Sequence, residues 1–159
     1  MLILVEGPDG SGKSTLCETL LNRGYVSAEV KISRFQESVI DLYIELAKIG
    51  KDIILDRSFI SDLVYRIQDG NSAETMSLED MCFILKRCKI IYCYNNNAFD
   101  DAINRGEDNI VDKKIHDELH TIYEYIMRMI ETFTHTEVLR YNHYVDDIDI
   151  VYDFIGKEE

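Results

Sequence analysis

Apolar residues follow two rhythms along this chain. Leu2 to Glu6 and Asp52 to Asp56 are short, nearly unbroken apolar runs, the pattern of strands buried on both faces. Lys89 to Tyr94 and Glu137 to Tyr141 read as two further strands, and Tyr25 to Ile32 as a short one. Between them the spacing turns helical. Leu16, Leu20 and Leu21 mark a helix over Lys13 to Arg23 that Gly24 stops, and Phe35, Val39, Leu42, Ile44, Leu46 and Ile49 mark another between an N-capping Ser33 and Gly50. Helices are also expected at Phe59–Gln68, Leu78–Arg87, Ala98–Asn104, Val111–Phe133 and Asp147–Ile155, with Asp69-Gly-Asn-Ser72 as a loop.

Strands that alternate with helices pair in parallel through right-handed crossovers. The expected fold is therefore α/β, a three-layer α/β/α sandwich around a five-stranded, mostly parallel sheet. The pattern contains no repeat and no Pro/Ser-rich linker, so residues 1–159 read as one domain.

Charge narrows the partners. Lys plus Arg number 17 against 30 Asp plus Glu, a net charge of -13 that repels a phosphate backbone, so nucleic acid is not an expected partner. Any phosphate must be held by a local site. No apolar run reaches the roughly 20 residues that span a bilayer, and the first residues lack the basic flank of a signal peptide, so the expected compartment is the cytoplasm. Cys17, Cys82, Cys88 and Cys93 form no CxxC pair and read as reduced core thiols. A homodimer remains open.

The chemistry begins at Gly7-Pro-Asp-Gly-Ser-Gly-Lys-Ser14, which fits the phosphate-binding loop G-x-x-x-x-G-K-[ST] between a strand and a helix. Gly7, Gly10 and Gly12 let backbone N–H groups turn inward on an anion, and the helix N-terminus adds partial positive charge. Lys13 supplies a compact cation to the β- and γ-phosphates, and the Ser14 hydroxyl can ligate Mg²⁺. A second cluster, Asp56-Arg57-Ser58, ends another strand at the same sheet edge. There Asp56 can organise Mg²⁺ or take a proton, and Arg57 can clamp a transferring phosphate.

Val5-Glu-Gly-Pro-Asp-Gly-Ser-Gly-Lys-Ser-Thr15 resembles the E-G-x-D-G-x-G-K-S-T opening of thymidylate kinases. Asp56-Arg-Ser-Phe-Ile-Ser-Asp62 is similar to the deoxynucleoside kinase motif E-R-S-x-x-S-D, and Ile103-Asn-Arg-Gly-Glu-Asp108 resembles the Arg-bearing lid of both families, here near residues 99–112. The resemblance implies a P-loop kinase using ATP and Mg²⁺ on a small nucleotide or nucleoside. It implies donor contacts at Gly7, Asp9, Gly10, Ser11, Gly12, Lys13, Ser14 and Thr15, and at Asn142 beside the adenine. Arg57 and Arg105 would neutralise the transferring group. Glu6 or Asp56 would be the base for a hydroxyl acceptor, while Asp9, Asp62 and Asp108 would contact the acceptor. Arg34 is the cation nominated for an acceptor phosphate.

A deoxynucleoside monophosphate such as dTMP comes first as acceptor and the 5′-hydroxyl of a deoxynucleoside second. A regulatory nucleotide-binding module and a kinase of a larger hydroxyl-bearing substrate, such as a modified base in DNA, are the rivals. Only 40 residues lie between Thr15 and Asp56, fewer than these families place there, which leaves the acceptor open. His116-Asp-Glu-Leu-His120 places two imidazoles on one helical face, but Asp117 stands where a zinc protease has Glu, so both read as helix-surface or supporting residues. Asp146, Asp147 and Asp149 lack the spacing of a calcium loop and read as a polar turn.

Overall fold

The computed structural model describes residues 1–28, 38–48, 52–70, 77–104, 106 and 112–156. Its sheet comprises β1 (Leu2–Glu6), β2 (Val26–Ala28), β3 (Ile53–Asp56), β4 (Cys88–Cys93) and β5 (Val138–Tyr141), in the order β2-β3-β1-β4-β5. Every pairing is parallel. The helices are α1 (Lys13–Asn22), α2 (Ser38–Lys48), α3 (Phe59–Gln68), α4 (Leu78–Leu85), α5 (Ala98–Asn104), α6 (Lys113–Thr134) and α7 (Asp149–Ile155).

Alternation along the central strand builds the three layers, because successive side chains leave a strand on opposite faces. Leu2 and Leu4 enter a core with Leu55, Phe59, Val64, Tyr92 and Tyr123, covered by α2, α3, α4 and α6. Ile3 and Val5 enter the other, with Leu16, Leu20, Ile54, Ile91 and Val151 beneath α1 and α7. Both faces are sealed, so ligands are left to the edge where the strands end, the side on which β1 and β3 deliver their loops.

Element types match the sequence expectation and the ends differ by a few residues. The helix expected over Leu78–Arg87 stops at Leu85, with Lys86 as its cap, and β4 starts one residue early at Cys88. The last helix begins at Asp149 rather than Asp147, whose carboxylate instead accepts a bond from the Asp149 N–H at 3.2 Å. Cys17, Cys88 and Cys93 are buried as expected, whereas Cys82 is only half-buried on the outer helix α4. Ser33 and the loop over residues 71–72 fall outside the described residues.

Candidate active site

The loop with the phosphate-binding pattern runs from Gly7 to Gly12 and hands the chain to α1 at Lys13. Gly12 caps that helix with φ 91°, in the left-handed region, and a Cβ there would sit 2.2 Å from the His143 ring. At Gly10, φ is 79° and a Cβ would meet the Ala98 carbonyl oxygen at 1.8 Å. No side chain but hydrogen fits either place.

Lys13 is 6% exposed, and its Nζ donates to the Pro8 carbonyl at 2.7 Å. Burial, reinforced by the nearby Arg57 charge, lowers its pKa to about 8. The Ser11 hydroxyl is buried in the same loop without a protein hydrogen-bond partner. An orphan hydroxyl beside a buried ammonium fits a loop built to receive phosphate oxygens.

Asp9, Gly10, Gly12, Lys13, Ser14, Asp56 and Arg57 line one cleft of about 230 Å³. Arg57 follows β3 with φ 68°, unusual for a residue with a side chain. Its guanidinium donates to the Asp9 carboxylate and to the Tyr65 hydroxyl, the latter at 3.0 Å. Burial opposes the Arg57 charge, but the surrounding Tyr65, Tyr123 and Asp9 more than offset it and its pKa is raised. Ser14 is exposed and Asp56 half-buried, and their oxygens are the donor type Mg²⁺ takes when phosphates and waters complete its shell.

Glu6 differs from the sequence expectation. It is 0% exposed, and its two oxygens accept 2.5 Å bonds from Ser58 and Ser61, so it is not placed to take a proton from an acceptor in the cleft. Tyr123 lies 2.8 Å from the Ser61 hydroxyl and extends the network into α6. Burial raises the Glu6 pKa against these two donors.

Other predicted residues have local roles. Asp62 is tied to Arg66 at 2.7 Å within α3. Thr15 is exposed on α1. The Asn142 side-chain oxygen accepts from the Tyr144 N–H at 3.1 Å, and its N–H donates to Asp146 at 2.7 Å, so it shapes the turn whose His143 abuts Gly12. Arg34, Arg105 and Asp108 lie outside the described residues.

Sequence reasoning left His116 between a surface and a supporting role and did not single out Asn95. His116 is no surface residue: it is 3% exposed and its Nε2 lies 2.7 Å from the Asp9 carbonyl. Asn95 donates to the Gly10 carbonyl at 3.4 Å and to Asp101 at 2.6 Å. His120, half-buried near His116, has its pKa lowered to about 4 by burial and then by the His116 charge. The i, i+4 histidine pair was the available signal, but only the fold reveals what it faces.

The chain is similar over 98% of its length to the YorR protein of Bacillus subtilis, solved in complex with phosphorylated GDP, at 23% identity, 94% coverage of that chain and a TM-score of 0.72. It is also similar to deoxyadenosine kinase from M. mycoides with bound dATP, at 15% identity and a TM-score of 0.63, covering 99% of this chain and all of that one. The same kinase with dCMP and dCDP products gives 14% identity and a TM-score of 0.61, over 98% of both chains. The fold is the one these solved structures share. No protein-family profile matches the sequence. No curated protein matches it either. Among the described residues no helix is long and apolar enough to cross a membrane.

Proposed function

We propose that this protein is an ATP- and Mg²⁺-dependent phosphotransferase acting on a small nucleotide-type acceptor, with a deoxynucleoside monophosphate as the acceptor class. The observation that carries this function is the convergence of Lys13, Ser14, Asp56 and Arg57 on one polar cleft at the phosphate loop. A module that only holds a nucleotide has no use for a guanidinium fixed in the same cleft as the loop lysine, whereas transfer needs charge neutralised on the moving group.

In the proposed reaction an acceptor oxygen attacks the γ-phosphorus, the bond to the β,γ-bridging oxygen breaks, and ADP leaves. The loop N–H groups and Lys13 hold the donor, and Arg57 faces the charge that develops in flight. Ser14 and Asp56 would hold Mg²⁺, which when bound would neutralise charge on the phosphate oxygens. Of the two carboxylates that could take a proton, Glu6 is sealed in the interior and Asp56 shares the cleft with the metal-type hydroxyl of Ser14. An acceptor whose oxygen is already ionised needs no base, which favours a monophosphate. Arg34 and Arg105 are proposed to bind its phosphate and the transferring group, and Asp62 and Asp108 to contact its nucleoside part.

A second reading, a deoxynucleoside kinase with Asp56 as base, is favoured by the presence of that half-buried carboxylate in the cleft. The test is a screen with ATP and Mg²⁺ against the common nucleosides and monophosphates, scoring each product. A diphosphate product from one or a few deoxynucleoside monophosphates is expected. Phosphorylation of free nucleosides alone would select the second reading, and no turnover of either class would reject both.

A further inference from the structure

His116 is the least expected contact of the phosphate loop. It comes from α6, 107 residues away from Asp9 in sequence, and its Nε2 reaches the Asp9 carbonyl at 2.7 Å. A carbonyl only accepts, so Nε2 carries the hydrogen and donates it. The ring is packed edge-on to Phe99 at 5.8 Å and to His120 at 5.3 Å between ring centres, and it is 3% exposed. This bond is therefore short, dry and held by packing from α5 and α6.

Two consequences reach the cleft through Asp9. The described peptide bonds are all trans, so fixing the direction of the Asp9 C=O fixes the Gly10 N–H to point the opposite way, away from His116, and Gly10 itself lines the cleft. The side chain of the same Asp9 accepts from Arg57. Asp9 thus sets the direction of the next backbone N–H through its carbonyl and holds the Arg57 guanidinium through its side chain.

We propose that His116 is a positioning residue for phosphoryl transfer: by holding the Asp9 carbonyl it presets both the Gly10 N–H and the Arg57 side chain. This rests on the kinase reading above. His116 touches neither donor nor acceptor, and its effect passes entirely through Asp9. Gln can place a donor N–H where Nε2 stands, and Leu cannot, so the pair separates the hydrogen bond from the bulk of the ring.

The experiment compares wild type, His116→Gln, His116→Leu, Asp9→Asn and the His116→Leu/Asp9→Asn double variant in steady-state kinetics, with arginine side-chain NMR of Arg57 in each. His116→Leu should lower kcat about 10-fold or more while KM for ATP changes less than about 3-fold, and His116→Gln should recover most of the loss. In the Asp9→Asn background the Leu substitution should cost less than in wild type, because both changes release Arg57. The Arg57 Nε–H signal should broaden in His116→Leu and persist in His116→Gln. Equal losses in the Gln and Leu variants, or full additivity with Asp9→Asn, would overturn the proposal. A wild type that transfers no phosphate would refute the kinase reading instead; the spectra then decide alone, and an Arg57 signal indifferent to His116→Leu would overturn the positional claim.

Discussion

Glu6 at the end of β1 accepts a 2.5 Å hydrogen bond from Ser61 on α3, and the same carboxylate accepts a second, equally short, from Ser58. The bond joins the strand that launches the phosphate loop to the helix that follows Arg57. Glu6→Ala should take the carboxylate acceptor from the buried Ser58 and Ser61 hydroxyls and cost on the order of 1–3 kcal/mol in urea unfolding. A change within error would show that the network contributes nothing to stability.

The same group gives a pH dependence with a definite sign. Burial raises the Glu6 pKa above its usual 4.5, so over a range above that value the folded protein holds a proton that the unfolded chain has released. The stabilisation is complete below about pH 4.5 and is lost as pH rises through the folded pKa. Gln does not titrate. The stability of wild type relative to Glu6→Gln should therefore be greatest at acid pH and shrink on raising it, measured as urea midpoints in a pH series. A difference that grows with pH would contradict the sign.

Burial, with the nearby Arg57 charge, lowers the Lys13 pKa to about 8, and a bound polyphosphate should raise it. ATP binding at about pH 8.5 should then take up a fraction of a proton, visible as a calorimetric heat that depends on the ionisation enthalpy of the buffer. Lys13→Met should abolish that dependence. Uptake that persists unchanged in the variant would assign it elsewhere.

Arg57 is fixed by Asp9 and Tyr65 in a left-handed backbone position. Arg57→Ala should lower kcat by roughly 10² to 10³ with a smaller effect on ATP affinity. Arg57→Lys should recover only part, because an ammonium lacks the planar fork. Weaker ATP binding at normal kcat would make Arg57 a ground-state contact.

Asp56 distinguishes metal organisation from proton removal. Asp56→Asn should lose activity and regain part of it at high Mg²⁺ concentration, in keeping with an ionised acceptor. A loss insensitive to the metal, with robust turnover of a free nucleoside, would move the assignment to the deoxynucleoside kinase.

The sheet and the cleft were legible because their signals are local. A buried parallel strand is a short apolar run, and the glycines with Lys13 and Ser14 occupy consecutive positions whose backbone demands are visible in the letters. Arg57 was found the same way, as a cation at a strand end. The role of Glu6 was not, because its exposure depends on Ser58 and Ser61 closing over it from another element. What His116 and Asn95 contact escaped for a related reason: each acts on a loop carbonyl, and nothing in the sequence says which backbone group a distant side chain meets.

The most direct measurement follows the γ-phosphate. Wild-type protein and a folded Lys13→Ala variant are incubated with γ-labelled ATP, Mg²⁺ and the deoxynucleoside monophosphates, and label is traced into the acceptor. Wild type should label a diphosphate product, and Lys13→Ala should do so at least 10²-fold more slowly. Undiminished transfer by the folded variant, or label that wild type passes to no acceptor, would contradict a phosphotransferase centred on this loop.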